Sequence, residues 1–310
     1  NVVRMTYYKH YCTVRWLNSH QIDPIEWNRV VNTNPAFRHY YQFEYLNLCG
    51  KDWGALVWPE YEIVWPLCIK KFPLAQVYQP LTAQQLGPLF STQYNEDEIN
   101  RAIDWMYKRF WRIDVKFNSD YTSQIQITGQ QRQNIELDLN AAYGDLSGKY
   151  NRNALSNLKK SKACGIDIRC TNEFYEDAIE AFKIGKGRAL SGLSDAFYKE
   201  IRSVFTEYLT NGKAETWVAF LDDKAIAYVM LVKTTNRLLN LFTATKPEAR
   251  STGSMHALFD SIIKEYSGKN IVLDFEGSED ENLAFFYRSF GGVSRIYLHY
   301  HSGWRIPYLS

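Results

Sequence analysis

At 310 residues the chain is long enough for two domains, and 45% hydrophobic with 15% aromatic residues supplies packed cores and excludes a disordered chain. Its 36 basic and 34 acidic residues leave a net charge of +2, which excludes a global footprint for duplex nucleic acid and makes any anion site local. No apolar run approaches the ~18 residues of a membrane span and no signal-peptide pattern stands at the start, so a cytoplasmic protein is expected.

Along the first half, Trp27 belongs to a leading helix, the alternation in 53–58 and 62–70 predicts paired strands, and 75–78 reads as a third. A helical period over 96–110 and a strand at 112–117 follow. Between them stands Gln84-Gln85-Leu86-Gly87-Pro88. The second half reads as strand 165–170, helices 173–186 and 194–209, and strands 215–221 and 225–233 joined by the polar turn Asp222-Asp223-Lys224. A strand at 238–245 then runs into Arg250-Ser251-Thr252-Gly253-Ser254. Beyond it Met255, Leu258, Phe259, Ile262, Ile263 and Tyr266 recur on one helical face, and Gly268 supplies the stop. Strand 270–275, helix 279–290 and strand 295–301 complete the pattern.

The strand-to-helix junction at 250–254 suits a pyrophosphate. A helix N-terminus presents unpaired N–H groups and a partial positive charge, Gly253 allows close approach, and Arg250 adds a formal charge. Gln84 to Gly87 holds the corresponding place in the first half. It reads either as a plain turn before a helix or as the relic of an internal duplication. Because Pro88 has no N–H to offer, the first loop is expected to be the poorer cradle.

Arg250-x-x-Gly253, followed by Tyr287-x-x-x-Gly291 in the next helix but one, resembles the donor loop and second helix of GNAT acyltransferases. Met255 departs from the small residue of that loop. Trp65-Pro66-Leu67, Tyr78-Gln79-Pro80, Ile135-Glu136-Leu137-Asp138-Leu139 and Tyr150-Asn151-Arg152-Asn153 are similar to Fem-type peptidyltransferases and their tandem-GNAT relatives. The resemblance implies an α/β fold of two tandem GNAT-like domains, each a central mixed sheet flanked by helices. They would span 1–142, without a working donor site, and 143–310, with Arg250, Ser251, Thr252, Gly253 and Ser254 binding acyl-coenzyme A. It also implies that Tyr287 protonates the leaving thiolate, whereas packing alone reads it as a helix-face anchor.

Asp274 and Glu276 alternate with Phe275 and are expected on one side of their strand, as base or amine anchor. Between 147 and 163 the chain has five basic residues and no acid. That run reads either as a solvated face or as an acceptor site, with Arg152 and Lys159 holding an anionic or saccharide-linked small molecule. His256 reads as a surface polar residue. The 22 tyrosines suit a saccharide pocket or the core alike. Cysteines 12, 49, 68, 164 and 170 form no Cys-x-x-Cys pair, so reduced thiols and no metal are expected.

The function these features point to is acyl transfer from acyl-coenzyme A to an amine or hydroxyl held between the domains. A second reading, implied by the Fem likeness, is an aminoacyltransferase using aminoacyl-tRNA on a cell-wall precursor. No sustained heptad marks the coiled-coil arm common in that group, which argues against tRNA. A third is an inactive GNAT-like binding protein whose donor loops have decayed at Pro88 and Met255.

Overall fold

The structure, a computed structural model, describes residues 14–49, 52–91, 96–121, 127–185, 187, 193–277 and 279–303. Cys12 and the expected helix end at Lys186 lie outside the described residues. Strand β1 (Arg15–Asn18) leads into α1 (Pro24–Thr33). Asp23 starts that helix, its carboxylate accepting from the Ile25 and Glu26 N–H groups, and Pro24 sits where no N–H is needed. The buried face of α1 carries Trp27, Val30 and Val31, and the Trp27 indole N–H donates to the Tyr41 carbonyl at 2.7 Å. Next come α2 (Phe43–Cys49), β2 (Trp53–Val57), β3 (Ile63–Lys70), β4 (Gln76–Tyr78), the short β5 (Leu89–Phe90), α3 (Glu96–Tyr107), β6 (Arg112–Lys116) and β7 (Gln130–Asp138).

Helices α4 (Tyr143–Ser147) and α5 (Arg152–Ala163) join the halves. The second half repeats the plan of the first with β8 (Asp167–Thr171), α6 (Glu176–Ile184), α7 (Asp195–Thr210), β9 (Ala214–Leu221), β10 (Lys224–Lys233) and β11 (Arg237–Thr245). Asp222 and Asp223 both have positive φ in the two-residue turn joining β9 to β10, as the right-handed twist of a hairpin favours. Helix α8 (Ser254–Tyr266), β12 (Val272–Asp274), α9 (Glu281–Arg288) and β13 (Val293–His301) follow. Gly268 closes α8 at φ 75°, its N–H donating to the Leu139 and Ala141 carbonyls.

The strands form one mixed sheet ordered β1-β2-β3-β4-β6-β13-β7-β12-β11-β10-β9-β8, with β5 beside β3. Each half contributes an antiparallel meander (β1 to β4, β8 to β11) followed by a parallel neighbour (β6 beside β4, β12 beside β11). The last strand of each half is then lent to the other. Strand β7 pairs with β12, and β13 pairs with β6, so the two halves share one uninterrupted ladder.

One core cluster lies under α1, α2, α6 and α7 and runs across both halves. A second lies under α4, α5, α8 and α9, and a third under α3. Leu258, Phe259, Ile262 and Ile263 of α8 are all fully buried, as the helical period predicts. The likeness of the halves ends at two places. Where the second half has α9 between its last strands, the described residues between β6 and β7 hold only a 3-10 turn, Ser119–Tyr121. The Gln84 to Pro88 segment does not cap α3 either, because β5 intervenes. Gln85 is fully buried, its side-chain oxygen taking the Ser119 N–H at 2.8 Å, and a Cβ on Gly87 would meet the Phe117 backbone. Its glycine serves chain packing within the first half.

Candidate active site

Strands β11 and β12 run parallel only from Arg237 to Leu239 against Val272 to Asp274, and then part. The Asn240 side chain bridges the opening, its amide N–H donating to the Phe275 carbonyl at 3.2 Å and to the Tyr287 hydroxyl at 3.3 Å. Leu241 is the bulged residue of β11: Asn240 opposes Leu231 and Phe242 opposes Met230, leaving Leu241 without a cross-strand partner in β10. A polar Asn inside the apolar run Leu238-Leu239-Asn240-Leu241-Phe242 is the signal by which the sequence marks this opening.

Two cavities meet here. One, of about 510 Å³, is lined by Arg250, Gly253, Ser254, Met255 and His256 of the donor-loop region, with Phe182 and Phe286 opposite. The other, of about 480 Å³, lies between the first-half segment 79–84 with Lys116 and the second-half residues Leu241, Glu276 and Tyr297. Both are walled by Phe182, Thr243, Asp280, Leu283 and Tyr287.

Of the five loop residues expected at the donor site, Arg250, Gly253 and Ser254 line the first cavity. Ser251 is exposed and outside its lining. Thr252 is buried, its hydroxyl donating to the Ala249 carbonyl at 2.9 Å and accepting the Ser254 N–H at 3.2 Å. Arg250 is exposed, and among the described residues no carboxylate pairs with it. Gly253 holds the N-cap of α8 at φ 73° with no side-chain cap, and a Cβ there would strike the Asn157 carbonyl of α5. The glycine is therefore required by the left-handed backbone and by helix packing, a reason the sequence reading did not contain. Met255 lines the same wall. His256, expected at the surface, is 9% exposed and stands edge-on to Phe286 at 4.7 Å; burial lowers its pKa to about 4, so it is neutral.

Tyr287 is buried, stacked on Phe275 at 4.4 Å, and burial raises its pKa. Since Asn240 donates to the phenol oxygen and Thr243 donates to the Asn240 carbonyl at 2.8 Å, the phenol proton is left for another acceptor. Asp274 and Glu276 lie close together, but not by strand alternation. Strand β12 ends at Asp274, and Glu276 follows at φ 46°, a left-handed backbone rare outside glycine. Asp274 is fully buried and engaged: Asn134 donates to it at 2.7 Å, Arg237 pairs with it at 3.0 Å and Arg38 at 3.7 Å. Its carboxylate is held by these partners and lines neither cavity. Glu276 lines the second cavity, and burial together with Asp274 pushes its carboxyl well above the usual range.

Arg152 and Lys159 stand exposed on α5, and neither lines either cavity. Helix α5 packs on α8, on the sheet face opposite α6 and α7, which places the basic run away from the cleft between the halves. The cation that does line that cleft is Lys116. Among the described residues no group of three His, Cys, Asp or Glu side chains is arranged to hold a metal ion, and no helix is long and apolar enough to cross a membrane.

Strands β11 and β12 thus part beside the glycine-capped helix α8, within a mixed sheet to which both halves contribute the same meander. Residues 149–282 match the family model described as Acetyltransferase (GNAT) domain. The whole chain is similar in fold to FemX (TM-score 0.63, 13% identity, covering 91% of this chain and 96% of that one). It is also similar to a tandem GNAT protein from the clavulanic acid biosynthesis pathway (0.54, 11%, 94% and 99%) and to L-PGS from Bacillus licheniformis (0.53, 13%, 90% and 91%). No curated protein matches the chain by sequence. The chain is thus a GNAT acetyltransferase-like protein with structural similarity to FemX, tandem GNAT and L-PGS proteins.

Proposed function

We propose that the chain is an acyltransferase in which the 510 Å³ cavity takes acyl-coenzyme A and the 480 Å³ cavity takes an amine acceptor. The observation that carries this reading is the shared wall at Tyr287, where a donor carbonyl and an acceptor nitrogen would come together. The residues present suit the donor. Arg250 and the uncapped N-terminus of α8 favour a pyrophosphate, while Phe182, Met255 and Phe286 give an apolar wall for a pantetheine arm. Residues 143–310 would carry the donor loop, and the first half, with no counterpart of α9 among its described residues, would supply the acceptor wall through segment 79–84.

Acyl-coenzyme A supplies a thioester carbonyl. The bulge at Leu241 leaves a backbone N–H of β11 to polarise that carbonyl. Glu276, its carboxyl pushed above the usual range by burial and by Asp274, takes a proton from the acceptor ammonium, and the freed nitrogen attacks. A C–N bond forms and the C–S bond breaks. Tyr287 gives its proton to the departing sulfur and regains one from the nitrogen, so the products are an amide and a free thiol.

Titration calorimetry with acetyl-coenzyme A tests the donor site. The protein should bind it, and Arg250→Glu should weaken binding about tenfold or more by setting like charges together. No heat at millimolar ligand would remove the coenzyme A reading.

A further inference from the structure

The lining of the cavity between the halves is of two kinds. Its charged residues are Lys116, at the end of β6, and Glu276, Glu279 and Asp280, which lie between β12 and α9 in sequence. Its apolar residues come from other elements: Phe182 of α6, Phe197 and Ile201 of α7, and Leu241 and Phe242 of β11. These five belong to one hydrophobic cluster, so the cavity opens onto the edge of a core. Phe197 and Ile201 stand four apart on one face of α7, and the Phe182 ring packs on Phe242 with centroids 4.8 Å apart.

The apolar strip starts at the donor. Phe182 lines both cavities, as Leu283 and Tyr287 do, so the strip leads away from the place where the thioester carbonyl would sit. The first half covers it. In segment 79–84 the Thr82 hydroxyl donates to the carboxyl of Glu200, the neighbour of Ile201, and the Tyr45 hydroxyl donates to the Thr82 carbonyl at 2.7 Å. The same segment brings Leu81, an apolar side chain 69% exposed, to the cavity lining. None of these apolar side chains has a part in the proton transfers described above.

We propose that the acyl group on the donor is an apolar chain longer than acetyl, laid along Phe197, Ile201, Leu241 and Phe242. An acetyl group would end at the Tyr287 wall and leave the strip wet. A longer chain takes its own apolar surface and that of the strip out of water together, and it leaves the charged end of the cavity to the acceptor amine. This rests on the reading of the site as an acyltransferase that takes acyl-coenzyme A, and free coenzyme A tests that reading by itself.

The experiment is calorimetry on the full chain with free coenzyme A and its acetyl, butyryl, hexanoyl and octanoyl thioesters. A methylene fully buried against an apolar wall is worth about three- to fourfold in affinity, so hexanoyl-coenzyme A should bind about tenfold or more tightly by comparison with acetyl-coenzyme A. Phe197→Asn, at a half-buried position of α7, should lose most of that gain while binding free coenzyme A as the parent does, and Leu241→Asn on β11 should lose it likewise. Equal affinity for the acetyl and hexanoyl thioesters, or a gain undiminished in both variants, would overturn the proposal and leave the donor site standing. No binding of free coenzyme A or of any thioester would overturn both.

Discussion

Tyr287 is held by a stack and a hydrogen bond, so removing its hydroxyl separates chemistry from packing. Tyr287→Phe keeps the ring on Phe275 and should lower kcat by about 10²–10⁴-fold with donor affinity unchanged; an unaltered kcat, measured in a steady-state transfer assay, would make the tyrosine an anchor only. A second residue reports on stability. His39 is 1% exposed among Tyr40, Tyr45 and Tyr208, neither ring nitrogen has a hydrogen-bond partner, and burial lowers its pKa to about 3. The unfolded chain takes up this proton near pH 6.5 and the native chain does not, so stability is whole above pH 6.5 and falls as the pH drops toward 3. His39→Phe should flatten that fall, by a few kcal/mol at pH 4 in urea titrations; identical pH profiles would contradict the assignment. Arg250 and Tyr287 line the cavities where a local strand-helix motif and its family likeness pointed, whereas Glu276 lines one through a left-handed turn after β12 and not through the strand alternation expected of it. Lys116 was not legible, since nothing near Arg112–Lys116 in sequence says that β6 will face a cavity whose other walls come from residues 79–84 and from 182–297. Arg152 and Lys159 misled for the same reason: a basic run states charge and not which face of the sheet its helix will cover.

Among the elements, the junction of α5 with α8 depends on one glycine. Gly253→Ala should lose about 1–2 kcal/mol to the left-handed backbone and more to the collision with the Asn157 carbonyl, so denaturation should show a loss beyond the backbone figure. A loss confined to that figure would mean that α5 shifts away freely. The helical faces and the meander of the second half were readable because period and turn residues agree, as at Asp222 and Asp223. Strand β7 was not read as a strand. Its first residues, Gln130-Gln131-Arg132-Gln133-Asn134, carry no apolar alternation, and their pairing is supplied by β13 from the far end of the chain. Helix α5 hid within its basic run in the same way, its buried face reduced to Ala154 and Ser161.

At the scale of the molecule, the exchanged strands and a buried ion cluster join the halves. Arg38 of the first half and Arg237 of the second both reach Asp274 and Glu136, with Arg237 at 2.7 Å from Glu136 and Arg38 at 3.2 Å from Asp120. Arg237→Met should cost about 3–5 kcal/mol by leaving buried carboxylates without a partner, and calorimetry should give one unfolding transition for the whole chain. Two separated transitions would contradict a shared ladder. The division of labour between the halves is the central claim, and a crystal structure with coenzyme A bound tests it most directly. Density for the pyrophosphate should lie at Arg250, Gly253 and Ser254, with the thiol reaching the wall at Tyr287 and the cavity beside Lys116 left to the acceptor. Coenzyme A at Gln84 to Pro88, or in the cavity between the halves, would contradict it.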